Sequence, residues 1–264
     1  MQGMRGAGLR GMAFAVALNA SLVLAPRTQG GEDATEMQKQ TWVVQASAGL
    51  EPRAIDALAR IAGANRRLLA LRAYLRAGNS LAERWSWSQA RLTAYSSTAE
   101  GKAASADIDA VAAAFAAANP GFTLTVNRQP RSLELQIAHW NDNASVGAVA
   151  AELAASLEQR FARHRADTNA DELRNALTEW KPAVAAALAA PGLSAHGQGR
   201  AFDFQVERDG QVIASIEAAT AHERWDATGW TGKLQTAVRT AGTHFIGPLQ
   251  SPYEPWHYAY TPSP

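Results

Sequence analysis

The chain has no cysteine among its 264 residues. This absence excludes disulfide bonds, thiolate metal sites, a cysteine nucleophile and a lipidated N-terminal cysteine. The chain also has no large excess of positive or negative charge. It contains 25 lysine and arginine residues and 24 aspartate and glutamate residues, and the formal net charge is +1. Nucleic-acid-binding proteins normally carry a strong basic excess, so this balance argues against that class. No segment beyond the N-terminal thirty residues is apolar over the length that a bilayer span needs.

The first thirty residues contain arginines at positions 5, 10 and 27 and no acidic residue. Between Arg10 and Arg27 lies the apolar stretch MAFAVALNASLVLA, which is too short for a comfortable membrane span. A basic start, a short apolar run and small residues at its end are typical of a secretory signal peptide. The sequence therefore predicts a signal peptide over residues 1–25, cleaved after Ala20 or Ala25, and export to the periplasm, the cell envelope or the medium. The alternative is an N-terminal helix that is not cleaved.

A predicted linker follows over residues 26–49, because its first part is polar and contains paired glycines. Residues 50–118 are predicted to form a helical N-terminal region. Apolar residues recur at helical spacing between Pro52 and Ala77, and Pro52 and Gly78 suit the start and the stop of one helix. The arginines of this helix are interpreted as its solvated face.

Residues 119–264 are predicted to form the second unit. FTLTV alternates like a strand, and helical patterns follow from residue 131 to residue 190. RAFDFQV and QVIASI are strand-like runs joined through Asp209-Gly210, a strong hairpin signal. A helix over residues 229–242 and a short strand in THFIGPL complete the pattern. The whole chain is predicted to be α+β, with a small antiparallel sheet that carries a metal site between flanking helices.

One group of residues near the hairpin and the C-terminus carries chemistry. In RAFDFQV the phenylalanines favour the core, so Asp203 is predicted to point to the opposite face. His196 precedes that strand in a glycine-rich loop, and the tail YEPWHYAYTPSP adds Glu254 and His257. In a regular strand Glu254 and His257 would face opposite sides, and Pro255 makes a bend plausible. Two imidazoles and a carboxylate are the three protein ligands of many catalytic zinc sites, and a nearby glutamate can take a proton from the attacking water.

Three stretches of the sequence resemble one family. SAHGQGRAFD, EPWHY and, further upstream, RSLELQ are similar to motifs of the VanY-type D-alanyl-D-alanine carboxypeptidases, zinc peptidases of bacterial cell-wall metabolism. The likeness spans roughly residues 119–261. It departs from the family at Pro130, where an aromatic residue is usual, and Arg128 lies three positions before the arginine that keeps the register.

The resemblance implies a function and a role for seven residues. The enzyme would be exported and would hydrolyse the terminal D-Ala-D-Ala amide bond of peptidoglycan stem peptides. It would use Zn²⁺ held by three ligands, a general base and proton donor, an arginine that stabilises the reacting carbonyl oxygen, and two substrate-binding residues. The implied zinc ligands are His196, Asp203 and His257, and the implied base is Glu254. Arg131 would stabilise the carbonyl oxygen, and Gln136 and Ser194 would bind the substrate.

Other functions remain open at this stage. A D,D-dipeptidase or a peptidoglycan endopeptidase would use the same zinc mechanism, and a non-catalytic cell-wall-binding protein would keep the fold without turnover. No nucleic-acid partner is predicted. The other four histidines have no motif support and are interpreted as structural or surface residues; they are His139, His164, His222 and His244.

Overall fold

The computed structural model describes residues 29–163 and 168–261, and the chain is α+β. The helices are α1 Gln29–Ser47, α2 Pro52–Arg60, α3 Ala64–Ala77, α4 Leu81–Arg84, α5 Gln89–Ala94, α6 Ala99–Ala118, α7 Leu133–Asp142, α8 Ala144–Arg160, α9 Ala170–Glu179 and α10 Trp230–Ala241. The strands are β1 Thr123–Val126, β2 Ala201–Arg208, β3 Gln211–Ala214, β4 Phe245–Ile246, β5 Leu249–Gln250, β6 Tyr253–Glu254 and β7 His257–Tyr260. The predicted signal peptide and His164 lie outside the described residues.

The main sheet is antiparallel and small, as predicted. Its strand order is β1-β2-β7-β4, and β3 pairs with β2 beyond the Asp209-Gly210 turn. Both turn residues have positive φ, 51° and 76°, which suits a two-residue hairpin. β5 and β6 form a separate two-stranded hairpin just before β7. β2 is therefore the central strand, and β1 and β7 both pair with it.

The apolar side chains form two clusters. The first combines α1, α2 and α3 with α8 and α9, and buries Trp42, Leu68 and Leu153 completely. The second combines α6 and α10 with β2 and β7, and buries Phe115 and Phe204. Helices from both sides of residue 118 thus share each core. The division of the chain into domains at residue 118 stays a prediction.

The structure differs from the sequence prediction in the N-terminal region. Where a linker was predicted over residues 26–49, α1 begins at Gln29, because Trp42, Val43 and Ala46 on one of its faces are buried against the neighbouring helices. The single helix predicted from Pro52 to Ala77 is two helices, since Gly63 adopts a φ of 71° between them. Pro52 and Gly78 do start the first and end the second, as predicted.

A second difference concerns residues 182–190, where the alanines predict a helical turn. This segment has no helix. The backbone N–H of Ala183 donates to Oε1 of Glu152 at 3.2 Å, and that of Ala187 donates to Oγ of Ser145 at 3.1 Å. Tertiary hydrogen bonds thus hold the segment against α8 in a bent, non-helical conformation despite the helix propensity of alanine.

None of the helices in the described ranges combines the length and apolar character that a membrane span requires.

Candidate metal centre

His196, Asp203 and His257 converge on one point from three elements. His196 lies in a 3₁₀ turn, Ala195–Gln198, while Asp203 on β2 is paired directly with His257 on β7. Nε2 of His196 lies 3.2 Å from Nδ1 of His257, and Nδ1 of His257 lies 2.9 Å from Oδ1 of Asp203. Nε2 of His196 is 3.4 Å from Oδ2 of Asp203. The three side chains are only 11–14% exposed.

These separations suit a small ion with tetrahedral coordination. Zinc binds nitrogen and oxygen ligands at about 2.0–2.1 Å, which places two ligands of a tetrahedron about 3.3 Å apart. The distances between the imidazole nitrogens and from each of them to one oxygen of Asp203, from 2.9 to 3.4 Å, bracket that value. His196, Asp203 and His257 can therefore hold a metal ion.

The alternation of the strands explains why these side chains share a face. Phe202 and Phe204 are buried in the second core, so the intervening Asp203 points to the other face of β2, as predicted. On β7 the buried residues are Tyr258 and Tyr260, which places His257 on the same face as Asp203. The aromatic residues of the tail thus fix the position of the imidazole between them.

The turn that carries His196 is held by residues 83–87. The amide of Trp87 donates to the carbonyl oxygen of Gly197 at 2.9 Å. Nε2 of Gln198 donates to the carbonyl oxygens of Glu83 and Trp85, both at 2.8 Å. Only a glycine fits at position 197, because a Cβ there would lie 2.1 Å from Oγ of Ser86. No local sequence pattern predicts this contact, because Ser86 precedes Gly197 by more than a hundred residues.

Glu254 stands beside the ligand group without joining its tightest contacts. A bend over Pro255 and Trp256 separates β6 from β7, as predicted, and brings Oε2 of Glu254 to 3.5 Å from Nδ1 of His257. Burial raises the pKa of Glu254, and the Asp203 carboxylate raises it further, while His257 and Arg131 act in the opposite direction. The pKa of Glu254 is therefore higher than that of an exposed glutamate.

The hairpin that carries Glu254 is anchored through its neighbour Tyr253. The Tyr253 hydroxyl donates to Oδ1 of Asp226 at 2.6 Å, and its ring stacks on His222 with centroids 5.1 Å apart. Thr231 donates to the same Asp226 oxygen at 2.6 Å. The π-helix His222–Asp226 and the first turn of α10 therefore hold the position of β6, a two-residue strand outside the main sheet.

Arg131 meets the site from the loop before α7. Its backbone amide donates to the carbonyl oxygen of His196 at 3.0 Å, and its Nη2 donates to Oδ2 of Asp203 at 2.5 Å. Arg128 lies elsewhere: it binds Asp109 and Ser105 on α6. Of the two arginines, Arg131 is the one at the candidate metal centre.

Burial and neighbouring charges set the protonation states of the centre. Burial, with help from the Arg131 and His257 charges, lowers the pKa of His196 to about 4, although Asp203 opposes this. For Asp203 burial works against ionisation, but the hydrogen bond from His257 and the charges of His196 and Arg131 hold its pKa below the usual range. At neutral pH the centre therefore offers a neutral imidazole at His196 and an ionised carboxylate, the forms that bind metals.

The two predicted substrate-binding residues also lie here. Gln136 is buried, and its amide is engaged by the protein: Nε2 donates to Oγ of Ser86 and to the carbonyl oxygen of Arg131, both at 2.9 Å, and Oε1 accepts from the amide of Gly192 at 2.9 Å. Ser194 precedes the His196 turn and its side chain lines the adjoining cavity. Substrate binding by these two residues stays a prediction.

Two open cavities meet at the candidate metal centre. The hairpin lobe, of about 490 Å³, is bounded by Leu249, Pro252 and Glu254 on one side and by residues 186–189 on the other. The sheet lobe, of about 430 Å³, extends over the end of β1 and the middle of β2. Both lobes share the residues at the centre, which are Arg131, His139, His196, Asp203 and Ile216.

His139 and Ile216 line both lobes although the sequence reasoning did not place them at the site. His139, interpreted from the sequence as structural or surface, is exposed on α7 and lines both lobes. Its position three residues after Gln136 on one helix places the two side chains on one face, and this spacing is the signal that could have found it. Ile216 follows β3 and is 43% exposed, which a strand-like apolar pattern does not predict.

Comparison with known proteins returned nothing for this chain: no protein-family model, no curated protein and no solved structure matches it.

Proposed function

We propose that the chain is a zinc-dependent D,D-carboxypeptidase that removes the terminal D-alanine from peptidoglycan stem peptides. The observation that carries the proposal is the convergence of the side chains of His196, Asp203 and His257, whose nitrogen and oxygen atoms approach one another to 2.9–3.4 Å. The motifs SAHGQGRAFD and EPWHY, which supply these ligands and Glu254, resemble those of the VanY-type peptidases.

Zinc is the proposed ion because of the donor set. Two imidazole nitrogens and one carboxylate oxygen with room for a fourth ligand suit zinc, and the absence of cysteine is consistent with a catalytic rather than a structural site. When bound, zinc acts as a Lewis acid that polarises the substrate carbonyl and increases the acidity of water.

Glu254 is the proposed general base. Its carboxylate lies next to the ligand group and lines the hairpin lobe, where it can accept a proton from the attacking water. The raised pKa of Glu254 suits this role, because a base whose pKa approaches the working pH can also return the proton to the leaving amine.

Arg131 is the proposed stabiliser of the developing negative charge. Attack on an amide carbonyl builds charge on its oxygen, and a guanidinium keeps its positive charge at every physiological pH. Arg131 lines both lobes and is 26% exposed, so its remaining donors can face a substrate while Nη2 holds Asp203.

A D,D-endopeptidase is the second candidate. A carboxypeptidase must bind the terminal carboxylate of its substrate, yet the described residues of the hairpin lobe include no lysine and no arginine other than Arg131. A cleft of two similar lobes that is open on both sides of the metal centre also suits a chain that continues beyond the scissile bond.

Metal content and peptide cleavage together test the proposal. The purified protein is expected to contain about one zinc ion per chain and to release D-alanine from a pentapeptide that ends in D-Ala-D-Ala. A cross-linked stem-peptide dimer and free D-Ala-D-Ala are assayed in parallel, and faster cleavage of either one identifies the endopeptidase or the dipeptidase. A protein that binds wall material but cleaves none of the three contradicts the proposal.

Glu254→Gln separates catalysis from metal binding. We expect this variant to retain zinc and to lose at least about a hundredfold in kcat, because a general base contributes about 10²–10⁴-fold. Glu217→Gln is the matched control, since Glu217 is exposed and lines neither lobe. Full activity of Glu254→Gln would rule out the assigned base.

A further inference from the structure

The sheet lobe has a chemical character of its own. The residues that line it and not the hairpin lobe are Thr125, Val126, Asn127, Gln129, Leu135 and Gln205. None of these six carries a charge, and four of them bear a hydroxyl or an amide. Such a surface is suited to neutral polar groups that both donate and accept hydrogen bonds, as peptide units do.

Gln205 gives this lobe an amide that is free to bind a ligand. It lies two residues after Asp203 on β2, so the two side chains share one face of the sheet. In β1, Thr125 is paired with Gln205 in the register, so it faces the lobe beside it. The Gln205 side chain is half-buried, and its amide has no hydrogen-bond partner among the described residues.

The position of Glu254 assigns a direction to the cleft. Glu254 lines the hairpin lobe and does not line the sheet lobe. In the proposed function this carboxyl group returns a proton to the leaving amine, so the amine side of the scissile bond must lie in the hairpin lobe. The acyl side then extends past Asp203 in the other direction, over Gln205.

We propose that the sheet lobe is the acyl-side subsite and binds the residues of the stem peptide that precede the scissile bond. Gln205 hydrogen-bonds one of their peptide groups. This inference rests on the proposed function and narrows its substrate class. With about 430 Å³ the lobe lies within the range of about 300–1,000 Å³ that is usual for ligand sites, so it accommodates more than an acetyl group. A free dipeptide leaves it unfilled and is a poor substrate.

The experiment compares two substrates that differ only on the acyl side. We expect kcat/KM for the pentapeptide L-Ala-γ-D-Glu-L-Lys-D-Ala-D-Ala to exceed that for acetyl-D-Ala-D-Ala by about a hundredfold, because each hydrogen bond or apolar contact in the lobe adds roughly a factor of ten. Gln205→Leu removes the amide at similar volume and is expected to lower this ratio about tenfold. Gln211→Leu, an exposed glutamine on β3 outside both lobes, is the matched control.

The experiment distinguishes a wrong subsite assignment from a wrong proposed function. If the wild type cleaves both peptides with equal kcat/KM, or if Gln205→Leu keeps the wild-type ratio, the subsite is wrong and the peptidase stands. If the wild type cleaves neither peptide, the proposed function is wrong.

Calorimetry gives a readout that needs no turnover. Glu254→Gln protein is titrated with the pentapeptide, with and without the Gln205→Leu or the shorter Gln205→Asn substitution, after melting temperatures confirm that each variant is folded. About tenfold weaker binding in both double variants supports the subsite, and unchanged binding overturns it.

Discussion

Nη2 of Arg131 lies 2.5 Å from Oδ2 of Asp203, so the guanidinium assigned to the substrate oxygen is bound to the carboxylate assigned to the metal. The other carboxylate oxygen of Asp203 lies 2.9 Å from Nδ1 of His257. One aspartate therefore contacts a candidate metal ligand on one side and the proposed catalytic cation on the other. The position of Arg131 and the ionisation of Asp203 depend on each other.

Replacing Arg131 is expected to affect both activity and stability. Arg131→Gln removes the charge that meets the developing oxyanion, which typically costs about 10²–10³ in kcat. It also removes the guanidinium from the largely buried Asp203 carboxylate, which keeps its contacts with the two imidazoles, so we expect the unfolding free energy of the metal-free protein to fall. Steady-state kinetics and thermal melts measure the two effects.

Arg128→Gln is the control for this substitution. Arg128 pairs with Asp109, whose side chain is 65% exposed, so the exchange is expected to change both quantities little. Equal losses in the two variants would contradict the assignment of Arg131.

Zinc removal is expected to lower the melting temperature. A ligand that binds only the folded state stabilises it by about 2.7 kcal/mol at a hundredfold excess over its Kd, which corresponds to a shift of roughly 5–10 °C for a chain of this size. Thermal melts with EDTA and with added zinc measure the shift. His257→Ala is expected to abolish it, whereas His222→Asn, outside the ligand group, is expected to retain it. A zinc-induced shift that survives in His257→Ala would place the ion elsewhere.

Gly197→Ala is expected to weaken zinc binding, although Gly197 is not one of the proposed ligands. The added Cβ would lie 2.1 Å from Oγ of Ser86 and 2.6 Å from Nε2 of Gln136, both of them in buried side chains. The His196 turn must therefore shift, and we expect zinc affinity to fall at least tenfold, as measured by competition with a chromogenic chelator.

Gly232→Ala in α10 is the matched control for this exchange. An added Cβ there meets nothing within 4 Å, and alanine in a helix is favoured over glycine by up to about 1 kcal/mol. Its zinc affinity should equal that of the wild type. If Gly197→Ala binds zinc as tightly as Gly232→Ala, the turn does not control the ligand.

The metal-free protein is expected to lose stability as the pH falls from about 6.5 to about 4. Burial lowers the pKa of His196 to about 4 in the folded state, whereas an unfolded chain has a histidine pKa of about 6.5. The unfolded state therefore takes up the proton first. The contribution, of about 3 kcal/mol, is complete above pH 6.5 and is lost as the pH falls through 4.

The pH effect is checked by thermal melts in EDTA on the wild type and on His196→Gln. The glutamine variant lacks this titration, so its melting temperature should fall less steeply over the same pH window. Parallel curves for the two proteins would contradict the assigned state of His196.

Local patterns predicted that the side chains of His196, Asp203 and His257 would converge, and the structure brings them together. Side chains along β2 and β7 alternate between the core and the opposite face of the sheet. The buried side is marked in the sequence by the aromatic residues Phe202, Phe204 and Tyr258. The bend at Pro255 and the Asp209-Gly210 turn are likewise properties of adjacent residues. Within such short ranges the sequence is a sufficient guide to geometry.

Contacts between distant segments were not predicted. The alanines of residues 182–190 favour a helix locally, but hydrogen bonds to Glu152 and Ser145 on α8 hold them in a non-helical conformation. α1 looks polar over its first half, and its helix depends on burial of Trp42 against partners that lie far along the chain. No single-sequence pattern reports such partners, because propensity is a weak term beside tertiary packing.

The contact between Gln198 and the carbonyl oxygens of Glu83 and Trp85 has a consequence for how this protein can be shortened. A truncation that starts at residue 119 keeps every proposed ligand, yet it lacks the backbone on which the His196 turn rests. The smallest working unit is therefore larger than the stretch that bears the motifs. Grafting those motifs alone onto another scaffold would transfer the residue types of the site but not their spatial arrangement.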